Sequence, residues 1–203
     1  MKSICVPGSK SVSNRALVLS FLCKGPVELQ GLLECDDTKY LKNALSELEN
    51  RDVNHDFFIG NGGTPARFLA ALSLVVDQPF RLHGVDRMHE RPFGDLFEVL
   101  ENLGVEIQAD RPGFLPARLI PPRPPLQGGV RSVHLSGSVS SQFISGLLLA
   151  GTKMGLEIEV TDEIKSRPYV EMTVEMIQIF GGTVEVSDDF KHFKVLPGLK
   201  GPG

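Results

Sequence analysis

Lysine and arginine keep unusual company in the segment VPGSKSVSNRALVLSFL, residues 6–22, where Lys10, Ser11 and Arg15 lie among small residues immediately before an apolar run. The pattern recurs twice. GNGGTPARFL, opening at Gly60, carries Asn61, Gly63 and Arg67, and GSVSSQFISG, opening at Gly137, carries Ser140, Ser141 and Gln142. Further cations and hydroxyls follow: Arg91 in the second segment, and Ser166, Arg167 and Tyr169 in the third. A small-residue loop running into a helix presents unpaired backbone N–H groups and about half a positive charge, so these residues suit anion binding. Serine hydroxyls add adaptable hydrogen bonds, arginine a planar charged fork and lysine a compact point charge. The formal net charge is −4, so the positive character is local.

Other chemistries fit less well. GSKS resembles the end of a nucleotide-binding P-loop, but aligning its lysine with Lys10 puts Ser9 and Ile4 where the two glycines belong. Nucleic acid usually requires a basic surface and stacking aromatics, whereas this acidic chain has no Trp and two Tyr. His55, His83, His89, His134 and His192 are scattered without ligand spacing, and no metal is assigned. Cys5, Cys23 and Cys35 have neither metal-ligand nor disulfide spacing, which fits a reducing cytosol. No apolar run approaches the roughly 18 residues of a membrane helix. The run at 16–22 is short for an export signal and no small-x-small cleavage site follows it. The proline-rich stretch 111–129 is read as an edge loop between strands rather than a polyproline ligand.

The elements that must hold these loops repeat with them. Apolar helices are expected at 15–22, 67–76 and 142–150, hydrophobic on nearly every face and therefore buried. Alternating segments then predict half-buried strands at 27–32, 80–85 and 156–161. Second helices are expected to start near Asp37, Arg91 and Arg167, each about 30 residues after its opening glycine. Leu41, Ala44, Leu45 and Leu48 make the first of these amphipathic; Leu96, Val99, Leu100 and Leu103 the second; Val170, Val174 and Ile177 the third. Strands at 105–109 and 183–187 close the later units. Packing three buried helices side by side brings their three polar loops into one composite site.

With PGSKSVSNRAL at 7–17, GNGGTPARF at 60–68, RMHERPFGDL at 87–96, GSVSSQF at 137–143 and SRPYVEMT at 166–173, the chain closely resembles the N-terminal half of the 5-enolpyruvylshikimate-3-phosphate synthases. That resemblance implies an α/β (α+β) domain of three βαβαββ-type units around buried parallel helices, an inside-out α/β barrel. It implies repeats at about 4–59, 60–130 and 131–196 within one domain of residues 1–203. The implied reaction transfers the enolpyruvyl group of phosphoenolpyruvate to the 5-hydroxyl of shikimate 3-phosphate in aromatic amino-acid biosynthesis, in the cytoplasm, without a cofactor.

Position by position, Lys10, Ser11, Arg15, Ser140, Ser141, Gln142, Ser166 and Tyr169 are similar to shikimate-3-phosphate contacts. Lys10, Asn61, Gly63, Arg91 and Gln142 resemble the phosphoenolpyruvate pocket, where glyphosate competes in this family. Lys10 matches a lysine touching both substrates and is the candidate catalytic residue. The family's proton-transfer groups belong to a second, C-terminal domain, so this chain is expected to bind substrates without turning them over. The other readings are a UDP-sugar enolpyruvyl transferase and a non-catalytic small-anion-binding module.

Two departures from the pattern carry expectations. Far fewer residues separate positions 48 and 60 than positions 103 and 137, so the first unit is expected to lack a strand pair and to leave its sheet trimmed or open. Phe68 stands where the family often has proline, beside Arg67 and near Gly63, which leaves glyphosate sensitivity open. At this level Arg15→Ala is expected to weaken ligand binding while sparing the fold.

Overall fold

In a computed structural model, residues 8–49, 55–124, 126, 130–138 and 140–201 are described. The chain runs α1 (Lys10–Leu22), α2 (Asp36–Leu48), β1 (His55–Phe58), α3 (Gly63–Leu72), β2 (Phe80–His83), α4 (Asp86–His89), α5 (Gly94–Asn102), β3 (Glu106–Ala109) and β4 (Ala117–Ile120). It continues through β5 (Arg131–Leu135), α6 (Ser141–Met154), β6 (Leu156–Val160), α7 (Arg167–Ile179), β7 (Thr183–Val186) and β8 (His192–Leu196).

The three apolar helices α1, α3 and α6 touch one another in the interior, as their sequences require. At Gly146 an added Cβ would lie 3.1 Å from Ala71 Cβ and 3.1 Å from the Arg67 carbonyl, so the glycine permits the close approach of α3 and α6. Helix starts follow local chemistry. Ser9 accepts from Val12 N at 3.4 Å, and Ser140 from Gln142 N at 3.3 Å. Asp36 and Asp37 place negative charge in the first turn of α2.

The strands form two four-stranded sheets of identical topology, ordered β1-β2-β4-β3 and β5-β6-β8-β7. In each sheet the first pair is parallel and joined through a buried helix, while the last two strands add as an antiparallel hairpin. The mixed α/β fold agrees with expectation, but the sheets remain separate and do not close into a barrel, because the first unit contributes no described strand. Residues 27–32 keep the expected alternation, with Val27 and Leu29 half-buried and Glu28 and Gln30 exposed, yet join no ladder among the described residues. Alternation records which side faces the core; a strand also needs a neighbour for its N–H and C=O groups.

Other boundaries move for identifiable reasons. The second unit's amphipathic helix begins at Gly94, not Arg91, because Pro92 disfavours helical backbone at the residue before it, and Arg91 lies in the break between α4 and α5. The supposed edge loop at 111–129 contains β4, an interior strand, with Ala117 and Leu119 facing the core and Pro116 and Pro121 just outside the ladder. The reading does not single out β1, yet its parallel pairing with β2 carries the second unit's sheet back to His55, ahead of the loop at Gly60.

Candidate anion-binding site

The polar loops stand at the N-terminal ends of α1, α3, α6 and α7, and side chains tie them together across the repeats. Gln142, in the first turn of α6, donates from Nε2 to Thr64 Oγ1 at 3.1 Å, linking the third loop to the second. Arg91 Nη1 donates to the Asn61 carbonyl at 3.3 Å. Its guanidinium lies directly against Gly63, where a Cβ would collide with Nη1 and Nη2. Asn61, Gly63, Arg91 and Gln142 are thereby brought together. Lys10 reaches the same region from α1: its Nζ is 3.1 Å from Asp37 Oδ2, and a Cβ at Gly62 would lie 3.4 Å from the Asp37 carboxyl carbon. Lys10 stays half-exposed, so its ammonium can exchange the Asp37 carboxylate for a stronger anion.

Arg15 behaves differently. Only 2% exposed, it spends its donors on protein: Nε to Thr173 Oγ1 at 2.7 Å, Nη1 to the Ser11 carbonyl at 3.0 Å, and Nη2 to Ser145 Oγ at 3.1 Å and the Tyr169 carbonyl at 2.8 Å. Phe68 lies beneath it, with the guanidinium carbon 5.4 Å from the ring centroid. Arg15 thus ties α1 to α6 and α7 and fixes the backbone of Ser11 and Tyr169, rather than presenting a free fork. The Tyr169 side chain is exposed. Ser140 is the half-buried N-cap of α6, and Ser141 is buried in its first turn. Ser166 is exposed at the N-cap of α7 with φ 60, a left-handed conformation uncommon for serine and a source of local strain.

Arg67 is the second buried cation, 3% exposed. It donates to the Gly63 carbonyl at 3.3 Å and the Pro92 carbonyl at 3.0 Å, and its guanidinium carbon sits 4.2 Å from the Phe93 ring centroid. It therefore braces the glycine loop against the segment that carries Arg91. Desolvation pulls Arg67 down to about 9, with the neighbouring Arg91 charge adding to it, and pulls Arg15 down to about 10 against a raising influence from Tyr169. Both remain cations at neutral pH. The hydrogen bonds described for each run to neutral acceptors, so their charge adds to the positive potential of the helix ends.

Sequence reasoning missed Asp37 as the partner of Lys10, and Ser145, Thr173 and Thr64 as supports. Ser145 and Thr173 leave a legible signal, being small polar residues on the buried faces of α6 and α7. Cavities of about 730 and 490 Å³ flank residues 24–35 and α2, away from the loop cluster, and another of about 410 Å³ lies over β6, β7 and β8. None of these hollows is lined by Lys10, Asn61, Gly63, Arg91 or Gln142.

Repeated α/β units gather cations and backbone N–H groups at the ends of buried helices, an arrangement suited to small anions. The chain belongs to the EPSP synthase (3-phosphoshikimate 1-carboxyvinyltransferase) family, whose model matches residues 1–57 and 50–203. It is 39% identical to the 3-phosphoshikimate 1-carboxyvinyltransferase of Thiobacillus denitrificans, over 92% of this chain and 47% of that protein. It is 37% identical to that of Laribacter hongkongensis, over 99% of this chain and 52% of that protein. Among solved structures, the EPSP synthase from Acinetobacter baumannii superposes with a TM-score of 0.78 at 20% identity, over 98% of this chain and 48% of that one, a likeness of fold. The chain spans about half the length of the curated relatives it matches.

Proposed function

We propose that this chain is the shikimate-3-phosphate-binding, N-terminal domain of a two-domain enzyme that transfers the enolpyruvyl group from phosphoenolpyruvate to shikimate 3-phosphate. In that reaction the 5-hydroxyl oxygen adds to C2 of phosphoenolpyruvate while C3 gains a proton. The tetrahedral adduct then loses phosphate and a C3 proton to leave the enol ether. The observation that carries this reading is the cross-repeat clustering of Lys10, Asn61, Gly63, Arg91 and Gln142, held by the Gln142–Thr64 and Arg91–Asn61 hydrogen bonds.

In this reading Lys10 clamps charge that develops between the two substrates, and Arg91 with the backbone at Asn61 and Gly63 takes the phosphate or carboxylate of phosphoenolpyruvate. Ser11, Ser140, Ser141, Gln142 and Ser166 hydrogen-bond the phosphate and hydroxyls of shikimate 3-phosphate, and the Tyr169 ring covers its apolar face. Arg15 holds Ser11 and Tyr169 in place. Among the described residues no helix is long and apolar enough to cross a membrane, and Cys23 and Cys35 are free thiols, which suits a cytoplasmic setting.

Calorimetric titration of shikimate 3-phosphate and UDP-N-acetylglucosamine into the full chain tests the reading. Saturable binding of the first, weakened about tenfold or more by Gln142→Ala, is expected, with no phosphate release when phosphoenolpyruvate is added. Preference for the sugar nucleotide, or binding of neither, overturns it. Robust turnover by purified chain would overturn the assignment of proton transfer to another domain.

A further inference from the structure

The loop that carries Ser140, Ser141 and Gln142 begins where the parallel pair β5–β6 ends, and the two chain segments stay tied beyond that end. Thr161 N donates to the Leu135 carbonyl at 3.1 Å, and Lys165 N to the Gly137 carbonyl at 3.1 Å. The second unit makes the equivalent tie from Val85 N to the Gly60 carbonyl at 3.1 Å, with Gly84 pressed against that carbonyl. Gly137 is also closely packed: a Cβ there would lie 2.6 Å from the Asp162 carbonyl oxygen and 2.7 Å from Val160 Cγ1.

The third unit adds side chains to these backbone ties. Ser136 Oγ donates to Asp162 Oδ2 at 2.6 Å and lies 2.7 Å from Ser138 Oγ, while Ser138 N donates to Ser136 Oγ at 3.2 Å. A hydroxyl has one proton, and Ser136 spends its own on the carboxylate, so Ser138 is the donor in the serine pair. The hydroxyls therefore run in one direction, from Ser138 through Ser136 to Asp162. Thr161 Oγ1, 3.4 Å from the same carboxylate oxygen, adds a weaker contact. Hydrogen bonds to a carboxylate are short and roughly twice as strong as neutral ones, so Asp162 fixes a turn made of small residues. Two residues after that turn comes Ser140, the N-cap of α6, which accepts from Gln142 N.

We propose that Asp162 is a positioning residue, which acts through Ser136 and Ser138 to set the turn that presents Ser140, Ser141 and Gln142 to the ligand. Its consequence for shikimate 3-phosphate rests on the function proposed above; its hold on the turn does not. A negative charge disfavours an anion bound nearby, so any gain in affinity comes from the geometry the carboxylate imposes and not from its charge.

Amide hydrogen exchange on the full chain reads the turn, and calorimetric titration of shikimate 3-phosphate reads the ligand. Asp162→Ala is expected to speed exchange at Gln142 and Phe143 about fivefold and to weaken binding by a similar factor. Unchanged protection in β6 and β8 certifies each variant as folded. Asp162→Asn keeps an oxygen for the Ser136 hydroxyl, so it should restore both readings to near the parent values. Ser136→Ala should match Asp162→Ala, and the double variant should be no worse than either, because both cut the same chain of hydroxyls. Tighter binding in both Asp162 variants, or additive losses in the double variant, overturns the proposal. Should the parent chain bind no shikimate 3-phosphate, the functional reading falls and exchange alone decides. Faster exchange in Asp162→Ala that Asp162→Asn restores then sustains the positioning role, and unchanged exchange overturns it.

Discussion

The first and third units each deliver a polar loop on a buried helix, but they hold it by different means. In the third, α6 is flanked by β5 and β6, and the antiparallel pair β8–β7 extends the sheet beyond them. In the first, α1 has no described sheet behind it, and single polar contacts take the place of a ladder. Arg15 reaches into α6 and α7, Ser13 Oγ accepts from Leu33 N at 3.0 Å, and Thr38 Oγ1 donates to the Leu33 carbonyl at 2.7 Å. A ladder spreads its stabilisation over many equivalent bonds, whereas a few buried polar ties concentrate it, so the first unit should be the more fragile under point substitution.

The largest effect is expected at Arg15. Arg15→Met removes charge-assisted bonds to Thr173, Ser145 and two carbonyls, and should cost about 3 kcal/mol in urea unfolding. Arg15→Lys should recover little of it, because one ammonium cannot span those acceptors. The expectation from sequence that truncating Arg15 spares the fold is thus revised by its burial. A fully stable Arg15→Met chain would erase the proposed difference between the units.

Gly63→Ala tests the second loop. The new methyl must displace the Arg91 guanidinium, which should weaken phosphoenolpyruvate or phosphate binding about tenfold while leaving the melting of both sheets nearly unchanged. Titration calorimetry beside thermal unfolding separates the two outcomes, and unaltered affinity would detach Arg91 from the site.

A smaller effect isolates the ties themselves. Thr38→Val should cost about 1 kcal/mol and speed amide exchange selectively at residues 33–35. Thr152→Val, which removes a hydroxyl bonded within α6 to the Leu149 carbonyl, should cost less than about 0.5 kcal/mol, because that helix is braced by a complete sheet. Equal costs would mean that the sheet confers no local robustness.

Only a small net change in stability is expected at Arg67, in a unit that has both a sheet and a buried cation. Arg67→Met loses two carbonyl contacts but relieves desolvation and repulsion from Arg91, and removes a buried Nε that has no hydrogen-bond partner. The net change should fall within about 1 kcal/mol, while phosphate affinity drops with the lost positive potential. A collapse comparable to that at Arg15 would show that sheet support does not buffer the loss of a buried cation.

Sequence alone determined the three loop-and-helix segments, the gathering of cations and hydroxyls at their starts and the expectation of a trimmed first unit, because these depend on local composition, periodicity and chain length. Buried helices were legible since their residues are apolar on nearly every face, and the trimmed first unit from the short gap between positions 48 and 60 compared with that between 103 and 137. Tertiary structure decided which groups are free and which are consumed. Lys10 and Arg15 look equivalent in GSKSVSNR, yet one is half-exposed beside Asp37 and the other buried on Thr173, Ser145 and Tyr169, partners 130 to 158 residues away. The same holds for 27–32, whose alternation is a local property while its ladder is not. Hydrogen-bond partners and burial arise from segments distant in the chain, so a cation's role and a strand's pairing become visible only once those segments meet.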